Sequence, residues 1–380
     1  MTKRAAHGGT TVLVEPDPGG HRFEAVANVA KLALRSGDVI LLTSQGATDL
    51  ELYKLFLADL PITVVERFDG IHPPTREMAA AIAEQARAGH VSTAVVMDAD
   101  MSLKRWWYVA AKEFRGLERR PRVVFMLTRY IARMELFDRQ AFFQRTSKAM
   151  LVLLAKATRT LDRAGGFAGR DDLSEGWVVK RLRDPAVCSA HARDRVALRD
   201  VLGLPQDRRI VGIIGSIDAR KSVPLVYDAV KQSGADADLL VAGTLKPDVQ
   251  AWVDEQPAGA LDRMILMARY LDTDELDQLV AACDVVSVVQ LNKGPSGIMG
   301  KALTAGVPVV TAGSRVRARE LRVTQGGIAA DMTAPSIADA LRRLYVDGAA
   351  MIRADALPPA TGETFAAALL GVDERGQLLS

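Results

Sequence analysis

Cysteine is nearly absent from the chain. Cys188 and Cys283 are the two among 380 residues, far apart and without metal-ligand spacing. That excludes a disulfide framework and a cysteine-held zinc site, and it leads to the expectation of a reducing, cytoplasmic setting. Aromatic residues make up only 5%. No apolar run approaches the eighteen or so residues of a membrane span; Ala149–Ala155 comes nearest and is far too short. Met1-Thr2-Lys3-Arg4 leads into no signal-peptide core. Internal repeats, low-complexity tracts and a GxGxxG fingerprint are missing as well. What remains is an ordinary globular composition, 49% hydrophobic and 25% charged, and a length that suits two domains.

The net charge of +3 hides an asymmetry. Residues 101–183 hold 19 Lys/Arg against 8 Asp/Glu, so the remainder is acidic. A segregated basic segment is either a solvated face or a contact for an anionic partner such as a membrane surface. Leu103, Trp107, Ala110, Phe114 and Leu117 form one helical stripe there, which predicts a buried Trp107 and leaves Trp106 and Tyr108 beside Lys104, Arg105, Lys112 and Arg115.

Short apolar strands alternate with helical stretches from the start. Thr11–Glu15, Val39–Leu42, Ile62–Val65, Thr93–Met97 and Val123–Leu127 read as strands, with helices over His21–Leu34, Leu50–Ala58 and Pro74–Ala88. That alternation predicts a parallel, doubly wound sheet. Further on, a helix is expected over Ala132–Phe143, a strand over Met150–Ala155 and a polar, glycine-bearing loop over Gly165–Glu175. Gly19 and Gly20 stand ahead of the first helix, where free N–H groups can face a ligand, and His21 beside them is a candidate catalytic or contact residue. Asp98-Ala99-Asp100 follows an apolar strand, so Asp98 is a second candidate; two such carboxylates could also hold a divalent ion.

The most informative stretch is 284–312. Val285–Val289 reads as a buried strand, Asn292–Ser296 as a turn, and Gly297–Ala305 as a short helix with Ser296 as its N-cap. Gly306 and Pro308 end that helix, and Val307–Thr311 begins the next strand. A strand, a glycine-bearing loop and a helix N-terminus favour a phosphate. A nucleoside-triphosphate P-loop is excluded, because five residues separate Gly294 from Gly300 where four are needed, and Ala302 replaces the magnesium-binding Ser/Thr. Upstream, Ile210–Ile214 is a strand followed by Gly215-Ser216-Ile217-Asp218-Ala219-Arg220-Lys221 and a helix over Val223–Gln232.

Asp284-Val285-Val286 together with Ala302–Val310 resembles the donor-site signature of the GT-B glycosyltransferases, in particular the retaining family four (glycosyl transferases group 1). Gly215 to Lys221, with Leu225 and Ala229, resembles that family's "G-x-x-x-x-r-K" element, and Arg183-Asp184-Pro185 its exit from the first domain. The paired glutamates of the family are replaced by Lys293 and Lys301; Ser296-Gly297 with Ala302 resembles a "Ser-Gly-x-x-x-x-Ala" version.

The resemblance implies two Rossmann-like α/β domains, each a doubly wound parallel sheet, facing a cleft. The domains are expected at 1–185 (acceptor side) and 186–356 (donor side), with 357–380 packing back on the first. The implied activity is transfer of a sugar from a nucleotide sugar to a glycan, lipid-linked or small-molecule acceptor, with retention and without a metal or other cofactor. The implied donor-binding residues are Gly19, Gly20, Ser216, Arg220, Lys221, Tyr270, Leu271, Lys293, Ser296, Gly297 and Lys301. Lysine at the glutamate positions would favour an anionic group, since it donates only and carries the opposite charge. The alternatives are a catalytically silent nucleotide-sugar-binding protein and a sugar-nucleotide epimerase on the same fold. Nucleic acid is not an expected partner.

Overall fold

A computed structural model describes residues 8–19, 22–130, 139–234, 236–292, 294–353 and 356–373. They divide into two compact units, one drawing on 8–168, 172–183 and 361–373, the other on 169–171 and 184–360.

The first unit opens with β1 (Gly8–Val14), α1 (Arg22–Ala33), β2 (Gly37–Ser44), α2 (Glu51–Phe56), β3 (Thr63–Phe68), α3 (Thr75–Ala88) and β4 (Val91–Val96). It continues through α4 (Leu103–Glu113), β5 (Arg122–Leu127), α5 (Arg139–Ala157), β6 (Arg163–Ala168) and β7 (Lys180–Arg183). The second unit runs α6 (Arg195–Leu202), β8 (Arg209–Ile214), α7 (Val223–Gln232), β9 (Ala237–Ala242), α8 (Pro247–Asp254), β10 (Met264–Met267) and α9 (Thr273–Ala282). Then come β11 (Val285–Val289), α10 (Gly297–Thr304), β12 (Val309–Ala312), α11 (Arg315–Thr324), β13 (Gly327–Ala329) and α12 (Ala334–Met351). The last helix, α13 (Gly362–Leu370), belongs to the first unit, where Phe365, Ala366, Leu369 and Leu370 join the core beside α1.

Both sheets are parallel throughout, in the orders β3-β2-β1-β4-β5-β6-β7 and β10-β9-β8-β11-β12-β13. Each sheet is covered on both faces, which is why its central strands are mostly apolar; all of β9 and β11 is buried, Asp238 and Ser287 being their polar positions. In each unit the winding direction reverses once, between β1 and β4 and between β8 and β11. The crevice at the carboxyl ends of such a pair is where doubly wound sheets bind ligands.

Three expectations need correction. Met150–Ala155 is not a strand but part of α5, whose apolar run buries Val152 and Ala155 and leaves Met150, Leu153 and Leu154 exposed. The expected loop from Gly165 begins inside β6; its glycines are there because a Cβ at Gly165 would stand 2.8 Å from Leu182, and one at Gly166 2.7 Å from Tyr130. On α4 the core residue is Trp106, fully buried with its indole N–H donated to the Thr160 carbonyl at 2.8 Å, whereas Trp107 is half-buried. Leu103, Trp106 and Ala110 satisfy the helical period as well as the stripe through Trp107 does, so periodicity alone does not separate them.

Candidate functional site

In the second unit the crevice is built by two loops. The first leaves β8 at Gly215, which adopts φ 101°, and makes a single tight turn over Ala219–Lys221, capped by Asp218 accepting from the Arg220 N–H at 3.1 Å. Ser222 in the left-handed region turns the chain into α7. This geometry folds Lys221 back onto the strand end, where its Nζ donates to the Ile214 carbonyl at 2.6 Å. A Cβ at Gly215 would lie 3.5 Å from that nitrogen and 3.9 Å from Cδ1 of Ile298, so Lys221 and the first turn of α10 flank one glycine. Burial pushes the Lys221 ammonium down to about 8, against a smaller opposing pull from Asp218.

The second loop runs from β11 to α10. Ser296 caps the helix, accepting from the Met299 N–H at 3.4 Å, and Gly297 begins it, leaving the first-turn N–H groups without helical partners. The Leu291 N–H donates to the Arg220 carbonyl at 3.0 Å and ties the two loops together. What the crevice offers is a half-buried ammonium, a helix N-terminus and a glycine that admits close approach. Such a set has the charge and the free donors to hold a phosphate or diphosphate.

The other implied donor residues are arranged differently. Arg220 is exposed and its guanidinium is held by Asp218, 2.9 Å from Nε, so its charge is already matched. Ser216 is exposed, as is Tyr270, while Leu271 is buried in the core. Lys301, expected to favour an anionic group of the ligand, meets an internal one: its ammonium is 2.7 Å from the buried Asp277 carboxylate and 2.9 Å from the Val187 carbonyl. Asp277 also accepts from the Ser189 N–H at 2.8 Å, so Lys301 pins α10 to α9 and to the segment ahead of α6. Lys293 lies outside the described residues.

Asp284, the acid of the quoted signature, is structural. It sits just ahead of β11 and meets Arg199 at 2.6 Å, Arg195 at 2.7 Å, Arg209 at 3.3 Å and the Ile210 N–H at 2.8 Å.

In the first unit Gly19 donates its N–H to Asp17 at 2.9 Å, while Gly20 and His21 lie outside the described residues. Asp98 is paired with Arg22 at 2.9 Å and accepts from the Thr128 hydroxyl at 3.1 Å. Asp100 accepts from the Arg129 N–H at 3.0 Å and pairs with Lys148. Each carboxylate thus has an internal cation, and among the described residues no cluster of His, Cys, Asp and Glu could hold a metal ion.

Sequence reading missed Glu15, at the carboxyl end of β1. It is fully buried, accepts from the Asp17 N–H at 3.0 Å and stands 3.4 Å from Arg22. Its other oxygen, Oε2, has no partner among the described residues. Burial raises its pKa to about 8, against the opposing pull of Arg22. Between the ordinary 4.5 and about 8 the folded chain therefore keeps a proton that the unfolded chain releases. Stability should fall as pH rises through that window, by about 1.4 kcal/mol per pH unit at most. Glu15→Gln should flatten the slope; denaturant melts of both proteins at about pH 5.5 and about pH 7.5 measure it. Equal slopes would show that Glu15 ionises normally.

Residues 208–347 match the family model described as glycosyl transferases group 1. Anabaena Alr3699/HepE, solved with UDP and glucose, superposes with a TM-score of 0.63 at 16% identity, over 95% of both chains. WaaG, a glycosyltransferase involved in lipopolysaccharide biosynthesis, gives 0.62 at 15% identity, over 95% of this chain and 99% of its own. The fold is GT-B. Among curated proteins, the 2-deoxystreptamine glucosyltransferase of Streptomyces kanamyceticus is 27% identical over 176 residues. That match spans 45% of this chain and 41% of the relative, less than half of either. In GT-B terms the matched region is the second unit from just ahead of β8 into α12, and it contains both loops of the crevice.

Proposed function

We propose that the chain is a nucleotide-sugar-dependent glycosyltransferase whose donor binds the second unit. The observation that carries this reading is Lys221 and the α10 N-terminus converging on Gly215, inside the region that matches the group 1 model. In the reaction, the bond between the anomeric carbon and the diphosphate oxygen breaks and the acceptor's hydroxyl oxygen takes its place. The hydroxyl proton passes to the departing nucleoside diphosphate or through it to solvent, and the diphosphate leaves with the electron pair of the broken bond. Lys221 and the free N–H groups of α10 stabilise the charge that develops on the leaving diphosphate, without a metal ion. HepE, with UDP-glucose in its solved complex, supports a nucleotide sugar as the ligand class.

The acceptor side falls to the first unit. There α5 exposes Phe142, Phe143, Met150, Leu153 and Leu154 within the strongly basic segment, which fits contact with an anionic lipid surface and a lipid-linked acceptor. Trp106 plays no part in such a surface, being core. No helix among the described residues is long and apolar enough to cross a membrane. Co-sedimentation with anionic but not neutral vesicles is the expected result; equal retention on both would remove the charge from the account.

One observation favours a second reading, a silent nucleotide-sugar-binding protein. Lys301 stands where the resembling family has an acceptor carboxylate and is engaged with Asp277. A panel of nucleotide sugars with and without sugar and lipid-linked acceptors separates the readings. Acceptor-dependent release of nucleoside diphosphate, undiminished by a chelator, is expected. Binding without turnover would favour the silent protein, conversion of donor alone an epimerase, and loss of activity with chelator would return Asp98 and Asp100 as metal ligands.

A further inference from the structure

Arg317, at the start of α11, is fully buried, yet no carboxylate partners it among the described residues. Its Nε donates to the Thr311 hydroxyl at 3.1 Å. One terminal nitrogen donates to the carbonyls of Asn292 and Gly294 at 2.7 and 3.0 Å, the other to those of Gln290 and Ala312 at 2.8 and 2.9 Å. Three of those four carbonyls belong to the turn between β11 and α10, whose side chains at Leu291 and Asn292 are exposed. One guanidinium therefore folds the exposed turn around itself from the inside. Two neighbours are fitted to this. A Cβ at Gly313, which has φ 83°, would stand 2.4 Å from the Gln290 carbonyl. Pro295 follows the inward Gly294 carbonyl with no N–H of its own.

A buried arginine ordinarily meets a carboxylate, as Arg199 does in this same unit. Burial lowers the pKa of Arg317 to about 10, and no neighbouring charge offsets it. A guanidinium with that value remains charged at neutral pH. Five neutral acceptors satisfy its hydrogens but leave its full positive charge beneath the turn, at the carboxyl ends of β11 and β12, as the Lys221 ammonium stands at the carboxyl end of β8.

We propose that Arg317 is the positioning residue of the donor loop and the fixed buried charge of the donor site, completed electrostatically by the diphosphate of the ligand. The proposal rests on the reading of this crevice as a donor site. It assigns Arg317 two separable roles: the fork of the guanidinium shapes the turn, and its charge selects phosphate-bearing ligands over neutral ones.

The experiment compares Arg317→Lys, Arg317→Gln and the unaltered protein for binding of UDP, GDP, ADP and dTDP beside their nucleosides, with circular dichroism as the check on folding. Arg317→Gln should lose about tenfold in preference for a diphosphate over its nucleoside, because it removes the charge. Arg317→Lys should keep that preference while both affinities fall, because it keeps the charge and loses the fork. A merely structural residue would lower both affinities equally in the Gln variant, and that result overturns the charge role. Unchanged affinities in the Lys variant overturn the clamp. If the Gln variant does not fold, the Lys variant decides alone: a collapsed preference counts against the charge role, a kept one with weakened affinities supports both roles. If the unaltered protein binds none of the diphosphates, it is the donor-site reading that fails, not the assignment within it.

Discussion

Asp284→Ala should destabilise the second unit by about 3–5 kcal/mol, enough to unfold it or nearly so. The carboxylate is buried among Arg195, Arg199 and Arg209 and also accepts from the Ile210 N–H. Removing it leaves Arg199, itself buried, with a charge and no counter-ion, although the carbonyls of Ala282, Pro205 and Arg208 still accept from it. The loss is mainly this uncompensated charge rather than a few hydrogen bonds. Asp284→Asn keeps an acceptor for Ile210 and should fall between the two. Chemical denaturation measures the change, and a loss under about 1 kcal/mol would mean that solvent reaches the cluster.

Lys221→Met should do the opposite to the empty protein. The side chain is of similar length, and burial already works against the ammonium, so the variant should be as stable as the parent or more so. Affinity for a nucleoside diphosphate, by contrast, should drop about tenfold to a hundredfold, the worth of one charge-assisted contact. The parent carries a pH signature as well. With its pKa lowered to about 8, Lys221 loses its proton in the free protein above that pH. Binding a dianion there must take the proton back, so affinity should fall as pH rises past about 8, by at most about tenfold per unit. The Met variant should show no such fall. Titration calorimetry across that range measures both; a parent and a variant with equal affinities would move the phosphate site away from Lys221.

Much of this architecture was legible because parallel sheets covered on both faces are written as short apolar runs. Val285–Val289 and Ile210–Ile214 could hardly be anything else, and Ser296 and Gly306 mark the ends of α10. Where the reading failed, the deciding partner was distant in sequence or was backbone. The glycines of β6 are read as loop until Leu182 and Tyr130 are seen to fill the space of their missing side chains. Lys301 carries no mark of Asp277, and its charge alone suggested a ligand. Arg317 is invisible from composition because its partners are carbonyl oxygens, which every residue has. Glu15 does leave a trace, a carboxylate closing an apolar strand, but its burial depends on packing that the strand pattern does not report.

The central claim is that the ligand's diphosphate sits between the two loops of the second unit. Amide hydrogen exchange on the whole chain, with and without saturating UDP, GDP, ADP or dTDP, tests it directly. The account predicts slowed exchange with at least one of them in peptides covering 215–223 and 290–300, and little change in β11 and β12, which are already protected by the sheet. Protection confined to other segments, or none with any of the four, would contradict it.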